Sequence, residues 1–124
     1  MAGFRMVLLP LTVLHALFVG LTAMVGAFAD GGDIWQRLVL VLLHPLGAIG
    51  VTLLVLQPGI AAAHILVIAA LLTANVIADL WLARLIATGA VRGDWELAVV
   101  FSVVPAIGIV YALALLRTGR AACS

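Results

Sequence analysis

The feature that most constrains the fold is a series of four apolar stretches, each about twenty residues long, separated by short connections. They run from Met6 to Ala29, from Trp35 to Leu56, from Ile60 to Leu80 and from Trp95 to Leu116. A bilayer core of about 30 Å is crossed by roughly 20 apolar helical residues. The sequence therefore predicts an all-α integral membrane protein with a single transmembrane domain over residues 1–124.

The connections predict how these helices follow one another. The first connection is DGGD, the second is QPG and the third is RLIATGAVRGD. Connections this short favour antiparallel neighbours, so we expect four transmembrane helices in an up-down-up-down bundle. Both chain termini and the second connection then lie on one side of the membrane, called side A. The first and third connections lie on the opposite side, called side B.

The stretch VGAFADGGDIW at residues 25–35 allows a second interpretation. Small residues after an apolar run are typical of a signal-peptide cleavage site. The apolar run here is about 21 residues long, whereas the apolar region of a signal peptide spans about 7 to 15 residues. We therefore expect a side-B turn between two helices.

Charged residues are scarce, at 9% of a chain that is 67% hydrophobic. Six basic residues against five acids leave no basic face for a nucleic-acid backbone, so no nucleic-acid partner is expected. All five acids and all three tryptophans fall on side B. Arginines divide equally between the sides; since acids count for little in the positive-inside rule, we place side A in the cytoplasm. The expected location is a bacterial inner membrane.

The two halves of the chain resemble each other. In HALFVGLTAMVGAFAD and in HILVIAALLTANVIAD, a histidine precedes an aspartate by fifteen residues. In the second and fourth apolar stretches, a proline follows the tryptophan by ten residues. This pattern predicts a tandem 2+2 repeat of a helical hairpin, comprising residues 5–57 and 59–117, with the halves related by an axis along the membrane normal.

Three histidines are the ionisable side chains predicted to lie deep in the membrane, where such groups are costly and therefore candidates for function. A rise of 1.5 Å per residue places His15 and His64 both about 22 Å from the side-B aspartates. Two imidazoles at one depth in an apolar bundle are suited to the axial ligation of haem b or another tetrapyrrole. His44 lies nearer the middle of the membrane and corresponds to Val104 in the repeat, so it is the less favoured ligand.

The sequence also predicts the positions of further polar residues and the effect of two prolines. His64 and Asn75 lie about 20° apart on one helical stripe, which we expect to face the bundle interior. Asp79, like Asp30, is expected at the side-B interface. Pro45 and Pro105 are expected to kink their helices.

Three classes of function follow. The preferred one is a structural or accessory subunit of a larger membrane complex, in contact with lipid and with other membrane subunits or further copies of itself. The alternatives are an electron-transfer subunit that binds a tetrapyrrole, and a small transporter or channel that acts as an oligomer. No deep carboxylate pair and no nucleophile beside a base is predicted, so no catalytic residue is assigned. Cys123 is the only cysteine, which excludes an internal disulfide and a cysteine-zinc cluster.

Overall fold

The computed structural model describes residues 2–29, 34–57 and 59–119, with side chains for residues 3–25, 38–57 and 59–119. The predicted turn at residues 30–33, the side chain of Trp35 and Cys123 lie outside these ranges. The described residues form no strand and five helices: α1 (Ala2–Ala29), α2 (Ile34–Leu56), α3 (Ala62–Ala87), α4 (Trp95–Phe101) and α5 (Val103–Arg117). Within them, four segments are long and apolar enough to cross a membrane, because α4 and α5 form one span from Trp95 to Arg117. The predicted all-helical class is thus confirmed for the described residues, and the four predicted apolar segments each form a helix long enough to span a membrane.

Helix α3 extends seven residues beyond the predicted end at Leu80. The helix stops just before Gly89, whose φ of 77° lies in the left-handed region that favours glycine. The Gly89 amide donates to the Ile86 carbonyl at 3.0 Å, and the Ala90 amide donates to the Leu85 carbonyl at 2.9 Å. These two bonds satisfy carbonyls that the helix end would otherwise leave unpaired.

The two prolines that were expected to kink their helices behave differently. Helix α2 continues through Pro45, whereas the fourth span is interrupted at Ser102, between α4 and α5. Pro105 follows that interruption by three residues. A proline has no N–H for the carbonyl four residues earlier, and its ring clashes with that carbonyl, which here belongs to Phe101. The expected distortion is therefore present at Pro105.

The helices pack along α3, which contacts α2, α4 and α5, while α1 packs mainly on α2. One buried apolar cluster joins α1, α2, α3 and α5 and includes Leu8, Val51, Ile65, Leu72 and Tyr111. Glycine permits the closest approaches. A Cβ atom on Gly50 would lie 2.9 Å from Ile68 Cγ2, and one on Gly108 would lie 2.9 Å from Leu72 Cδ1.

Large apolar side chains cover the outside of the bundle. Among them, Trp81 near the end of α3 and Trp95 at the start of α4 are both exposed. Tryptophan is enriched where a membrane helix meets the headgroup region. The N-terminus of α4 is capped by Asp94, whose carboxylate accepts a hydrogen bond from the Glu96 amide at 3.0 Å.

Candidate functional site

A buried hydrogen bond joins α2 to α3 in the interior of the bundle. Nε2 of His44 lies 2.9 Å from Oδ1 of Asp79, although the residues are 35 positions apart in the chain. Both side chains are almost fully buried, with exposed fractions of 1% and 0%. The pair is therefore shielded by the protein from lipid as well as from water.

The positions of the two residues along their helices explain why they meet. Counted from the start of α2, His44 lies about 15 Å along the helix, and Asp79 lies about 12 Å before the end of α3. Asp79, which was expected at the side-B interface, is buried in the bundle two helical turns before the end of α3. Its carboxyl group lies within a segment, Ala62–Ala87, that is long and apolar enough to span a membrane.

His15 on α1 extends this pair to a third helix. Its ring packs edge to face on the ring of His44, with centroids 5.3 Å apart, and on the ring of Phe101, with centroids 6.0 Å apart. The Phe101 carbonyl is the one to which Pro105 cannot donate a hydrogen bond, so His15 from α1 contacts α4 at the break in the fourth span.

Asn75 lies one helical turn before Asp79 and has an exposed fraction of 0%. Its Nδ2 donates to the Leu71 carbonyl at 2.9 Å, while its Oδ1 has no hydrogen-bond partner among the described residues. A Cβ atom on Gly47 would lie 3.0 Å from Asn75 Nδ2. The glycine therefore makes the room that lets α2 pack directly over this amide.

A small cavity of about 10 Å³, called the central cavity, lies between these polar groups. Its walls come from α1, α2, α3 and α5, and its polar lining consists of Thr12, His15, His44 and Asn75. Thr12 is occupied locally, since its hydroxyl donates to the Leu8 carbonyl at 2.7 Å. Two histidines and one amide therefore share a common interior space.

A larger cavity of about 210 Å³, called the outer cavity, lies among α1, α2, α3 and α4. It extends from exposed Gly93 and Asp94 at the start of α4 to Phe101, and Thr22 also lines it. Phe101 is the residue whose ring contacts His15. The outer cavity thus reaches the residue next to the central group of polar side chains.

The predicted ligand pair of His15 and His64 has unequal surroundings. His15 is half-buried against His44, whereas His64 is exposed in the first turns of α3. The expectation that His64 and Asn75 share an interior stripe is wrong for His64, because only Asn75 is buried. Axial ligation of haem b or another tetrapyrrole by His15 and His64, or by His44, stays a prediction. The visible spectra of the oxidised and reduced protein test it, since a bound haem gives a Soret band.

The arrangement is suited to proton binding. Within the described residues, no group of three or more histidine, cysteine or acidic side chains is placed to hold a metal ion. A carboxyl group and an imidazole in hydrogen-bond contact can pass a proton between them, and a second imidazole stands beside the first. Three side chains from three helices form this site: His15, His44 and Asp79.

Comparison of the chain with protein-family models, with curated proteins and with solved structures finds no match.

Proposed function

We propose that this protein is a small membrane transporter or channel that carries protons and acts as an oligomer. The observation that supports it is the hydrogen bond between His44 and Asp79 inside a membrane-spanning bundle. Ionisable residues are rare at such depth, face the bundle interior, and occur in proton relays and on ion pathways. We prefer this function to the purely structural role expected from the sequence. A structural role does not require a buried ionisable pair, and burying such a pair costs desolvation free energy.

The net charge of this pair explains why it would bind a proton. With Asp79 ionised and His44 neutral, the pair carries one negative charge in a medium of low dielectric constant. One added proton makes the pair neutral overall, whether it resides on the carboxyl group or on the imidazole. Because an unbalanced charge is costly there, gain and loss of this proton are linked to events that change the surroundings of the pair.

The outer cavity supplies the proposed route to one side. It connects the exposed N-terminus of α4 with Phe101, which contacts His15. His15 in turn contacts His44. A proton that enters beside Asp94 would therefore pass along His15 and His44 to Asp79.

The proposed topology is the alternating one, with both termini on side A and side A in the cytoplasm of a bacterial cell. The depths of the paired residues support the alternation. If α2 and α3 ran parallel, His44 would lie about 15 Å and Asp79 about 26 Å from their helix starts, too far apart for a hydrogen bond.

We also propose that the two halves are a tandem repeat whose ionisable pair is shared between them, with His44 in the first half and Asp79 in the second. The contacts of α1 with α2, and of α3 with α4 and α5, support two hairpins. His44 corresponds to Val104 in the other half, and the break at Ser102 has no counterpart in α2. The repeat is therefore asymmetric at its centre.

The proposed partners are the lipid bilayer and further copies of the chain. A groove of about 430 Å³ between α2 and α3 supports self-association, because Ala74 and Ala78 form part of its almost wholly apolar wall. Small residues spaced four apart let membrane helices approach closely. An accessory subunit would instead bind other membrane proteins. Stoichiometric co-purification of unrelated membrane proteins would therefore favour that role.

Proton flux into liposomes tests the proposal. The purified protein is reconstituted with a pH-sensitive dye inside, and a potassium diffusion potential drives protons inward. We expect a flux above that of protein-free liposomes, and its loss in Asp79→Asn and in His44→Gln, because each variant removes one member of the proton-binding pair.

Two exposed residues provide matched controls for this measurement. His64→Gln and Glu96→Gln remove an imidazole and a carboxyl group at exposed positions outside the proposed route, so both variants are expected to retain the flux. Equal flux in Asp79→Asn and in the unmodified protein would refute the proposal, as would flux no greater than that of empty liposomes.

A further inference from the structure

Two polar atoms at the central cavity have unsatisfied hydrogen-bonding capacity. Nε2 of His15 and Oδ1 of Asn75 are buried, and neither has a hydrogen-bond partner in the described part of the chain. Both side chains line the central cavity. A buried polar atom without a partner costs about 1 to 3 kcal/mol, so two of them at one cavity indicate a bound polar ligand.

The size of the cavity limits what that ligand can be. At about 10 Å³, it lies at the lower limit of the space that holds one ordered water molecule. A haem, a hydrated metal ion or an organic substrate is much too large. A buried water typically makes about three hydrogen bonds, and two histidines and one amide line this cavity.

We propose that the central cavity binds one water molecule, which hydrogen-bonds to Oδ1 of Asn75 and to Nε2 of His15. The tautomer of His15 defines the direction of these bonds. When the neutral ring carries its hydrogen on Nδ1, Nε2 is left as an acceptor. The water then donates one hydrogen to Nε2 and the other to the Asn75 carbonyl oxygen.

The water also provides the connection between the two histidines, and this part of the inference rests on the proposed proton transport. When the Asp79 carboxyl donates its proton to Nε2 of His44, the ring carries its own hydrogen on Nδ1 and can donate it to the water oxygen. For transfer towards His15, the carboxyl proton moves to Nε2 of His44, the Nδ1 proton moves to the water, and a water proton moves to Nε2 of His15; a proton that enters by way of His15 follows the same three steps in reverse. Three bonds to hydrogen break and three form, so the net change is one proton moved from Asp79 to His15.

Asn75 is thus a positioning residue for the water. Its amide is held from one side by the Leu71 carbonyl and covered from the other by Gly47. Because Nδ2 is engaged, the oxygen is the part of the amide that remains for the water. The sequence shows Asn75 only as a polar residue in an apolar helix, and the cavity supplies a reason for its presence.

Solid-state NMR of the protein in lipid bilayers, with 15N-labelled histidine, tests the water site directly. Signals of the three histidines are assigned with His44→Gln and His64→Gln. We expect magnetisation transfer from water to Nε2 of His15 in the unmodified protein. In Asn75→Leu, which has a similar volume and no acceptor, that transfer is expected to be lost.

Two further variants serve as a control and as an independent test of the water site. Thr73→Val removes an exposed polar group of the same helix, whose hydroxyl bonds to the Ala69 carbonyl, and is expected to leave the water transfer unchanged. Gly47→Ala retains every polar group and adds a methyl group to the cavity wall, so it is expected to abolish the transfer. Gly47→Ala therefore tests the water site even if Asn75→Leu does not fold.

The same variants in the liposome assay separate the two proposals. We expect Asn75→Leu and Gly47→Ala to lose proton flux along with the water signal. A water signal in a protein that moves no protons would support the water site and refute the transport function. Flux that depends on Asp79 but persists in Asn75→Leu, with no transfer to His15 in the unmodified protein, would overturn the water site alone.

Discussion

At the scale of single residues, the main energetic question is how His44 and Asp79 are tolerated where water is excluded. Each of these side chains would lose its hydration on entering the bundle, and their mutual bond of 2.9 Å restores part of that loss. Such a pair contributes little when it is compared with two apolar residues, yet removing one member leaves the other unpaired. The pair is therefore better explained by function than by stability.

A double-mutant cycle measures this coupling. Either His44→Leu or Asp79→Ala alone is expected to lower the free energy of unfolding in detergent by about 1 to 3 kcal/mol, because each leaves a buried polar partner unsatisfied. The double variant is expected to lose less than the sum of the two, since neither polar group remains. Strictly additive losses would show that the two side chains do not interact.

The sequence identified His15 and Asn75 as deep polar residues, but it did not predict the contact between His15 and His44, and it ended the third helix at Leu80 instead of Ala87. The error had a definite cause. Trp81 and Arg84 suggested that the third helix leaves the membrane near Leu80, whereas the stronger stop signal is Gly89. The contact between His44 and Asp79 also depends on how α2 is rotated against α3, which hydropathy does not encode.

At the scale of helices, close packing depends on glycines that face a neighbouring helix. A Cβ atom on Gly50 would lie 2.9 Å from Cγ2 of Ile68, a β-branched side chain with little rotational freedom in a helix. By contrast, a Cβ atom on Gly20 would have no neighbour within 4 Å. The two glycines therefore differ only in what lies opposite them.

Alanine substitution at these two positions makes a matched comparison. Gly50→Ala is expected to destabilise the bundle by about 1 to 2 kcal/mol, because overpacking outweighs the gain in helix propensity. Gly20→Ala is expected to be neutral or stabilising by up to about 1 kcal/mol. Unfolding in detergent, followed by circular dichroism, measures both. Equal stability of the two variants would contradict the close approach of α2 and α3.

The interruption at Ser102 is expected to depend on Pro105. Pro105→Ala restores an N–H that can donate to the Phe101 carbonyl, so α4 and α5 should join into one continuous helix. Backbone chemical shifts of residues 99–105 report the change. Pro45→Ala is the control, because α2 is already continuous there. If the shifts at Ser102 stay the same in Pro105→Ala, the break has another cause.

At the scale of the whole molecule, apolar segment length was the most predictable property, since it is local in the sequence. Four spans follow from hydropathy alone, and the described residues contain four. The cavities were not predictable, because they arise where side chains from three or four helices meet. In a bundle without a large extramembrane domain in its described part, these interior spaces are where function is expected.

The alternating topology can be tested with single cysteines, because the chain has one natural cysteine, Cys123. In a Cys123→Ser background, Gln57→Cys marks the second connection and Ala90→Cys marks the third, and both positions are exposed. Two connections separated by one membrane span must lie on opposite sides, so a membrane-impermeant thiol reagent added to intact cells should label only one variant. We expect it to label Ala90→Cys, because side B is placed outside the cytoplasm, and to reach Gln57→Cys only after the cells are opened. The reverse pattern would keep the alternation and invert the orientation, whereas labelling of both variants in intact cells would contradict the alternating bundle.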